Sequence, residues 1–257
     1  MKTAHDPEQE QAAAAAAGGR RPGAALGLVT IGQAPRDDLR PDAEPLLPGV
    51  RLIEHGALDE EDFSGAAEAG TRSALAPEPG EAPLVSRLRD GRSVVLGHGA
   101  VVPRIERAVA RAERDGAAAT LVLCTGHFPS VRSARPLLYA EPLVQHAVAA
   151  LVGEDPVGLV CPRDDQAGDV GERWARLLPG RVTAAGANPY APRDEAVGLV
   201  AAAAGELVGA GARWLVLDCI GYTEEMRRAA ARAAGRPVLL ARSLAVRAAG
   251  EAVAAHG

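Results

Sequence analysis

The chain has 257 residues, 47% of them hydrophobic and only 3% aromatic, with a formal net charge of −5. This length and apolar content can fill one large core or two small ones, while mild acidity without a basic stripe, and few rings for base stacking, argue against nucleic-acid binding. Three cysteines with no close pairing make neither a disulfide framework nor a zinc motif.

Residues 1–24 run from charged positions through poly-Ala to Gly18-Gly19-Arg20-Arg21-Pro22-Gly23 and predict a disordered tail. The pattern changes at Leu26-Gly27-Leu28-Val29-Thr30, a short apolar strand followed by the turn Ile31-Gly32-Gln33-Ala34. Pro35 is placed at a first helical position. Backbone N–H groups at such a turn favour anions, and Thr30, Gln33 and Arg36 add side-chain donors, with Arg matched to a carboxylate. Val50 to Glu54 reads as a second strand, followed by an acidic helix start or loop at residues 59–62. Asp90-Gly91 between Leu84–Arg89 and Ser93–Gly97 predicts a hairpin ending at His98. Val101 to Asp115 has helical spacing and ends at Gly116.

The run Thr120-Leu121-Val122-Leu123-Cys124 reads as a buried strand, with a polar loop to Pro136 and a helix from Glu141-Pro142 to about Leu151. Val157 to Pro162 is another strand, and Asp164 or Asp165 is expected to cap a helix containing Trp174. A strand over Arg181–Ala187 and a helix over Pro192–Gly209 precede a second cysteine strand, Trp214 to Cys219. Thr223 caps the next helix, Pro237–Leu240 is the last strand, and Ser243 is expected to cap the last helix. Alternating strands and helices predict a parallel α/β architecture. Arg213 and Asp218 bracket the most hydrophobic late run, so no membrane span is expected. No signal peptide is visible, and the expected setting is cytoplasmic with reduced thiols.

The cysteines divide by context. Cys161, before Pro162, reads as a packing thiol. Cys124 and Cys219 each close an apolar strand and are followed two residues on by Gly126 and Gly221. Ligands bind at that end of the strands in open α/β sheets, and a thiol before a helix N-terminus can ionise at neutral pH. Singly, each is better explained as a buried structural thiol. As a matched pair they suit one reaction: a thiolate removes a proton next to a carbonyl and a thiol on the opposite face returns one. Backbone N–H groups at Thr125-Gly126 and Gly221-Tyr222 would stabilise the enolate. Neighbouring strand residues point to opposite faces, so Asp218 is not expected beside Cys219 unless the strand has ended, and a capping or loop-orienting role is the alternative. His98 and His127 are possible cleft residues of open role, and Cys124-x-x-His127 has no second pair to make it a metal motif.

Thr30-Ile31-Gly32-Gln33-Ala34-Pro35-Arg36 and Asp218-Cys219-Ile220-Gly221-Tyr222, with the order of elements between them, resemble the AroM family, which is related to the aspartate/glutamate racemase superfamily. The resemblance spans roughly residues 26–256. It implies two pseudo-symmetric Rossmann-like domains with parallel sheets, the last helix returning to the first domain. On that basis the first domain takes residues 25–137 plus 241–257, and the second takes 138–240. It also implies cofactor-independent chemistry by one or two cysteines at equivalent strand ends, matched here by Cys124 and Cys219. The second motif reads Cys219-Ile220 where racemases carry Cys-Thr, so a substrate-gripping hydroxyl is missing there.

The expectation is therefore a racemase or epimerase of a small carboxylate-bearing compound. Cys124 and Cys219 form the acid–base pair, and Thr30, Gly32, Gln33, Arg36, Thr125, Gly126, Gly221 and Tyr222 contact the substrate. No metal or cofactor and no nucleic-acid or membrane partner is expected, and a homodimer is left open. The alternatives are a one-cysteine decarboxylase or cis–trans isomerase, and a non-catalytic binder of a small anion on the same scaffold.

Overall fold

The computed structural model describes residues 24–254, so the expected tail lies, apart from Ala24, outside the described residues. The first sheet contains β1 (Ala25–Thr30), β2 (Arg51–Gly56), β5 (Ala119–Leu123) and β6 (Leu137–Tyr139) in the order β2-β1-β5-β6. The second contains β7 (Val157–Cys161), β8 (Val182–Gly186), β9 (Trp214–Leu217) and β10 (Val238–Leu240) in the order β8-β7-β9-β10. All pairings in both sheets are parallel. The two orders superpose element for element, which makes β5 and β9 equivalent strands. A separate antiparallel hairpin joins β3 (Leu84–Arg87) to β4 (Ser93–Leu96), as Asp90-Gly91 predicts.

The side-chain alternation of the central strands explains the layers. Leu26 and Leu28 of β1, and Leu121 and Leu123 of β5, face α4 (Ala140–Val152) and α8 (Ala241–Ala254). Val29 and Val122 face the opposite way, toward α3 (His98–Arg114) and the hairpin. In the second sheet Leu159 and Val216 join the same core as α4 and α8, together with Trp174 of α5 (Ala167–Ala175). Leu215 and Leu217 instead pack under α6 (Arg193–Gly209) and α7 (Glu224–Ala234). One apolar core thus runs between the sheets, and the last helix packs on the first sheet.

Several local expectations are corrected. Pro35 lies in a loop after β1, joined to Ala34 by a cis peptide, and the first helix, α1 (Arg40–Ala43), starts later. No side chain caps α5, because a short 3-10 turn over Asp164–Gln166 leads into it and Asp164 instead accepts from the Gly186 N–H at 3.0 Å. The last helix begins at Ala241, placing Ser243 inside it. Helix α3 begins at His98 and not at Val101. Thr223 does cap α7, its Oγ1 accepting from the Met226 N–H at 3.3 Å.

The buried Arg242 of α8 ties the chain ends of this arrangement together. It is 0% exposed. Its Nε and Nη2 donate to the Ile220 carbonyl at 2.9 and 2.8 Å, and Nη1 donates to the Asp38 carbonyl at 2.6 Å. Ion pairs to Asp42 at 2.9 Å and Asp38 at 3.1 Å complete the set. Removing one partner of a buried ion pair leaves the other uncompensated. Arg242→Met is therefore expected to lower the unfolding free energy by about 3 kcal/mol. Arg242→Lys should recover only part, since one ammonium cannot span two carbonyls and two carboxylates. Urea unfolding followed by circular dichroism measures both.

Candidate functional site

The two cysteines follow equivalent strands. β5 stops at Leu123 and β9 at Leu217, so Cys124 and Cys219 lie just beyond the strands instead of ending them. Each then folds back on itself in the same way. The Gly126 N–H points to Cys124 Sγ at 3.4 Å, and the Gly221 N–H points to Cys219 Sγ at 3.3 Å. The glycines are required by close approach. A Cβ at Gly126 would come within 2.7 Å of Leu84, and one at Gly221 within 2.8 Å of the Tyr190 ring. The loops are stitched to each other by Thr125 Oγ1, which donates to the Asp218 carbonyl at 3.2 Å.

Both thiols line one cleft of about 400 Å³ between the two sheets. The first-sheet side adds Thr125, Gly126, His127 and His98, and the hairpin supplies Leu84 and Val85. The second-sheet side adds Asp218 and, from α5, Arg173. Gln166 tethers the hairpin across the opening by donating to the Pro83 carbonyl at 3.0 Å. Because β9 has ended, Asp218 shares this cleft with Cys219. Its Oδ2 accepts from Trp174 Nε1 at 2.7 Å and Arg173 Nη2 at 2.9 Å. Burial raises the Asp218 pKa, with Arg173 and Trp174 opposing the rise. Arg173 is 30% exposed, and its Nε is buried without a hydrogen-bond partner.

The expected depression of the thiol pKa values is reversed. Neither sulfur sits at a helix N-terminus, and burial dominates. The Cys124 thiol is pushed up to about 12, with the Gly126 N–H only partly offsetting desolvation. Burial also raises Cys219, offset by the Gly221 N–H and by the phenol of Tyr190. Cys161 is 0% exposed, and its thiol donates to the Arg163 carbonyl at 3.3 Å, as expected for a packed cysteine.

The first motif does not reach the cleft. Thr30 Oγ1 accepts from the Gly32 N–H and from Arg36 Nη1, both at 3.3 Å. Gln33 donates to the Leu58 carbonyl and accepts from the Arg89 N–H. Arg36, 4% exposed, is spent on a two-bond pair with Asp38, both bonds 2.7 Å. Tyr222 is fully buried, and its hydroxyl donates to the Ala187 carbonyl at 2.7 Å. Thr30, Gly32, Gln33, Arg36 and Tyr222 thus serve the loops around the site. Gly126 and Gly221 lend their N–H groups to the sulfurs and not to an enolate, contrary to the expectation from the sequence. His127 stands at the rim, 82% exposed and 3.0 Å from the Glu141 carboxylate. His98 lies beside Phe128, ring centres 5.5 Å apart.

Arg173 and Tyr190 are absent from the sequence-based set. Arg173 had no signal beyond its place next to Trp174 on a helix. Tyr190 follows the Asn188-Pro189 turn after a strand, which marks a loop at the ligand end of a sheet but no chemistry. Among the described residues no cluster of three or more His, Cys, Asp or Glu could hold a metal ion, and no helix is long and apolar enough to cross a membrane. A larger groove, about 890 Å³, lies along α1, α7 and α8. Its arginines 193, 227 and 228 already pair with Glu224 or Glu225.

Two four-stranded parallel sheets that deliver a cysteine from equivalent strands into the space between them define an α/β protein of the aspartate/glutamate racemase-like fold. Solved structures agree. A double mutant of arylmalonate decarboxylase in its liganded form matches with a TM-score of 0.60 at 16% identity, over 91% of this chain and 94% of that one. Allantoin racemase from Klebsiella pneumoniae matches with 0.56 at 11% identity, over 91% and 89%. The maleate isomerase Iso from Pseudomonas putida S16 matches with 0.51 at 11% identity, over 87% and 90%. The chain belongs to the AroM family, whose description is AroM protein and which matches residues 26–253. No curated protein is significantly similar to it in sequence.

The raised thiol has a direct consequence. An unfolded cysteine titrates near about 8.5, whereas folded Cys124 stays protonated until the pH approaches about 12. Iodoacetamide labelling of Cys124 in the folded protein should therefore still accelerate above about pH 9, where an unfolded cysteine levels off. The unfolded chain releases this proton first, so the stability it contributes is complete below the unfolded value and is lost as the pH rises toward the folded one. Peptide mass spectrometry across a pH series reads the labelling.

Proposed function

We propose that the protein is a cofactor-independent isomerase, a racemase or epimerase of a small carboxylate-bearing compound, in which Cys124 and Cys219 exchange protons with opposite faces of one carbon. One observation carries this reading: both thiols line the same cleft of about 400 Å³, each with the same N–H contact from the glycine two residues on. The similarity to a racemase, an isomerase and a decarboxylase supports the scaffold for such chemistry.

In one direction a cysteine thiolate takes the α-proton. The C–H bond breaks, an S–H bond forms, and the electron pair spreads into the neighbouring carboxyl group as an enolate. The opposite thiol gives its proton to the other face and is left as thiolate. The next turnover runs in reverse, or the pair resets by exchange with solvent. Apolar burial makes the thiolate costly, so the active form, with one thiolate and one thiol, arises by loss of a single proton to solvent, and the same burial strengthens any charge contact made in the cleft. Arg173, and not Arg36, holds the substrate carboxylate, because Arg36 is paired with Asp38. Its guanidinium lines the cleft, is oriented by Asp218, and retains an unpaired Nε. The Thr125 N–H, which makes no hydrogen bond among the described residues, is the backbone donor left for the enolate.

The test is incubation with amino acids, hydantoins and dicarboxylates in deuterated water. The expected result is deuterium at the α-carbon of one class with loss of its optical rotation. A positioned acid or base contributes roughly 100-fold or more, so Cys124→Ser and Cys219→Ser should each lower exchange by at least that factor. Full activity in Cys124→Ser would replace this reading with one-thiol chemistry. Protection of the thiols by a small anion without any exchange would replace it with a binding protein. Arg173→Met is expected to raise KM for the active carboxylate about 10- to 100-fold, the loss of one charge-assisted pair, with Arg173→Lys intermediate.

A further inference from the structure

The two thiols are not equivalent, and the difference lies in Tyr190. Its hydroxyl is 3.7 Å from Cys219 Sγ, and that sulfur is its one hydrogen-bond partner among the described residues. Cys124 has no counterpart: its sulfur receives the Gly126 N–H alone. The Tyr190 ring has two close neighbours, Gly221 and Arg87. Gly221 packs against it so closely that a Cβ would come within 2.8 Å of the ring carbons. The Arg87 guanidinium lies over it, 5.3 Å from the ring centre, with Nε buried and lacking a hydrogen-bond partner. A cation over a phenol draws electron density from the ring and makes the O–H a stronger donor. A thiolate has no proton to give, so beside an ionised Cys219 the phenol must be the donor.

We propose that Tyr190, packed against Gly221 with Arg87 over its ring, is a positioning residue that donates its O–H to Cys219 and thereby makes Cys219 the thiolate, and Cys124 the acid, of the pair before the first proton transfer. This rests on the two-thiol reading above. The titratable and charged groups that act most on Cys219 are Asp218, Arg36, Tyr190, Tyr222 and Cys124, while Arg173, in the same cleft, favours the Cys124 thiolate by its charge and makes no contact with that sulfur among the described residues. Asp218 opposes a thiolate and Arg36 favours it, while Tyr190 alone reaches the sulfur with a side-chain donor. The burial that raises Cys219 is offset by two donors and that of Cys124 by one. A thiolate at Cys219 also holds Cys124 protonated, since the two charges repel. The acid is then loaded whenever the base is ready.

The experiment is peptide-resolved iodoacetamide labelling of the full chain across a pH series, read as the midpoint of each profile so that differences in access cancel. In the unsubstituted protein the Cys219 midpoint should lie below that of Cys124. Tyr190→Phe, which keeps the ring and removes the donor, should move the Cys219 midpoint upward by about one pH unit, a roughly tenfold loss of thiolate at a fixed pH, and leave Cys124 in place. Gly221→Ala, which displaces the ring, should move Cys219 in the same direction. A Cys124 midpoint at or below that of Cys219 in the unsubstituted protein overturns the proposal without any variant. So does an unmoved Cys219 profile in Tyr190→Phe, or an equal shift of both thiols. Labelling does not depend on turnover, so failure of the isomerase reading would appear separately, as absent α-deuteration with the thiol order intact.

Discussion

A guanidinium with no exposure to solvent holds the second cysteine loop in place. Arg242 reaches from the last helix to the Ile220 carbonyl, one residue past Cys219, and to Asp38 and Asp42 beyond the first strand. Burying that charge is costly, and the cost is offset only because every partner is in position. The loop therefore cannot drift from the first sheet without taking the Ile220 carbonyl away from a buried guanidinium. Thr125 repeats the tie from the other side by donating to the Asp218 carbonyl. Two sulfurs from separate sheets share a cleft because of these cross-links, and parallel topology alone would not bring them there.

The chemistry of the cleft follows from what is near each sulfur. Burial raises both thiols, so neither is a ready thiolate by default. Each depends on local donors, and those donors are unequal. Asp218 adds a second buried acid beside Cys219, but Trp174 and Arg173 occupy the same oxygen, Oδ2. It thereby serves to aim Arg173 at the cleft. Isosteric Asp218→Asn would leave one oxygen able to accept from both donors but remove the charge that strengthens the two bonds.

Much of the fold was legible in the chain. Buried runs such as Leu121-Val122-Leu123 and Leu215-Val216-Leu217 read as parallel strands because both faces are covered, and Asp90-Gly91 read as a hairpin because it suits the tight turn. Both cysteines were found because each sits where an apolar run stops before a glycine. The short strand Leu137–Tyr139 was missed because three residues carry no period. Arg36 was misplaced because a guanidinium after a glycine turn looks like an anion clamp until Asp38 is seen to occupy it. Arg173, Tyr190 and Arg242 owe their roles to elements far away in the chain, and no local pattern encodes such a meeting. Asp218 fell between these cases: the strand rule was sound, but the strand ends one residue before it.

The central claim is that sulfurs from the two sheets address one small space. The most direct measurement treats the folded protein with a thiol-bridging reagent such as dibromobimane and maps the peptides. The account predicts a single bridge, Cys124 to Cys219, that leaves Cys161 untouched and disappears when the protein is unfolded first. Recovery of Cys124 and Cys219 each modified separately, with no bridged peptide, would contradict it.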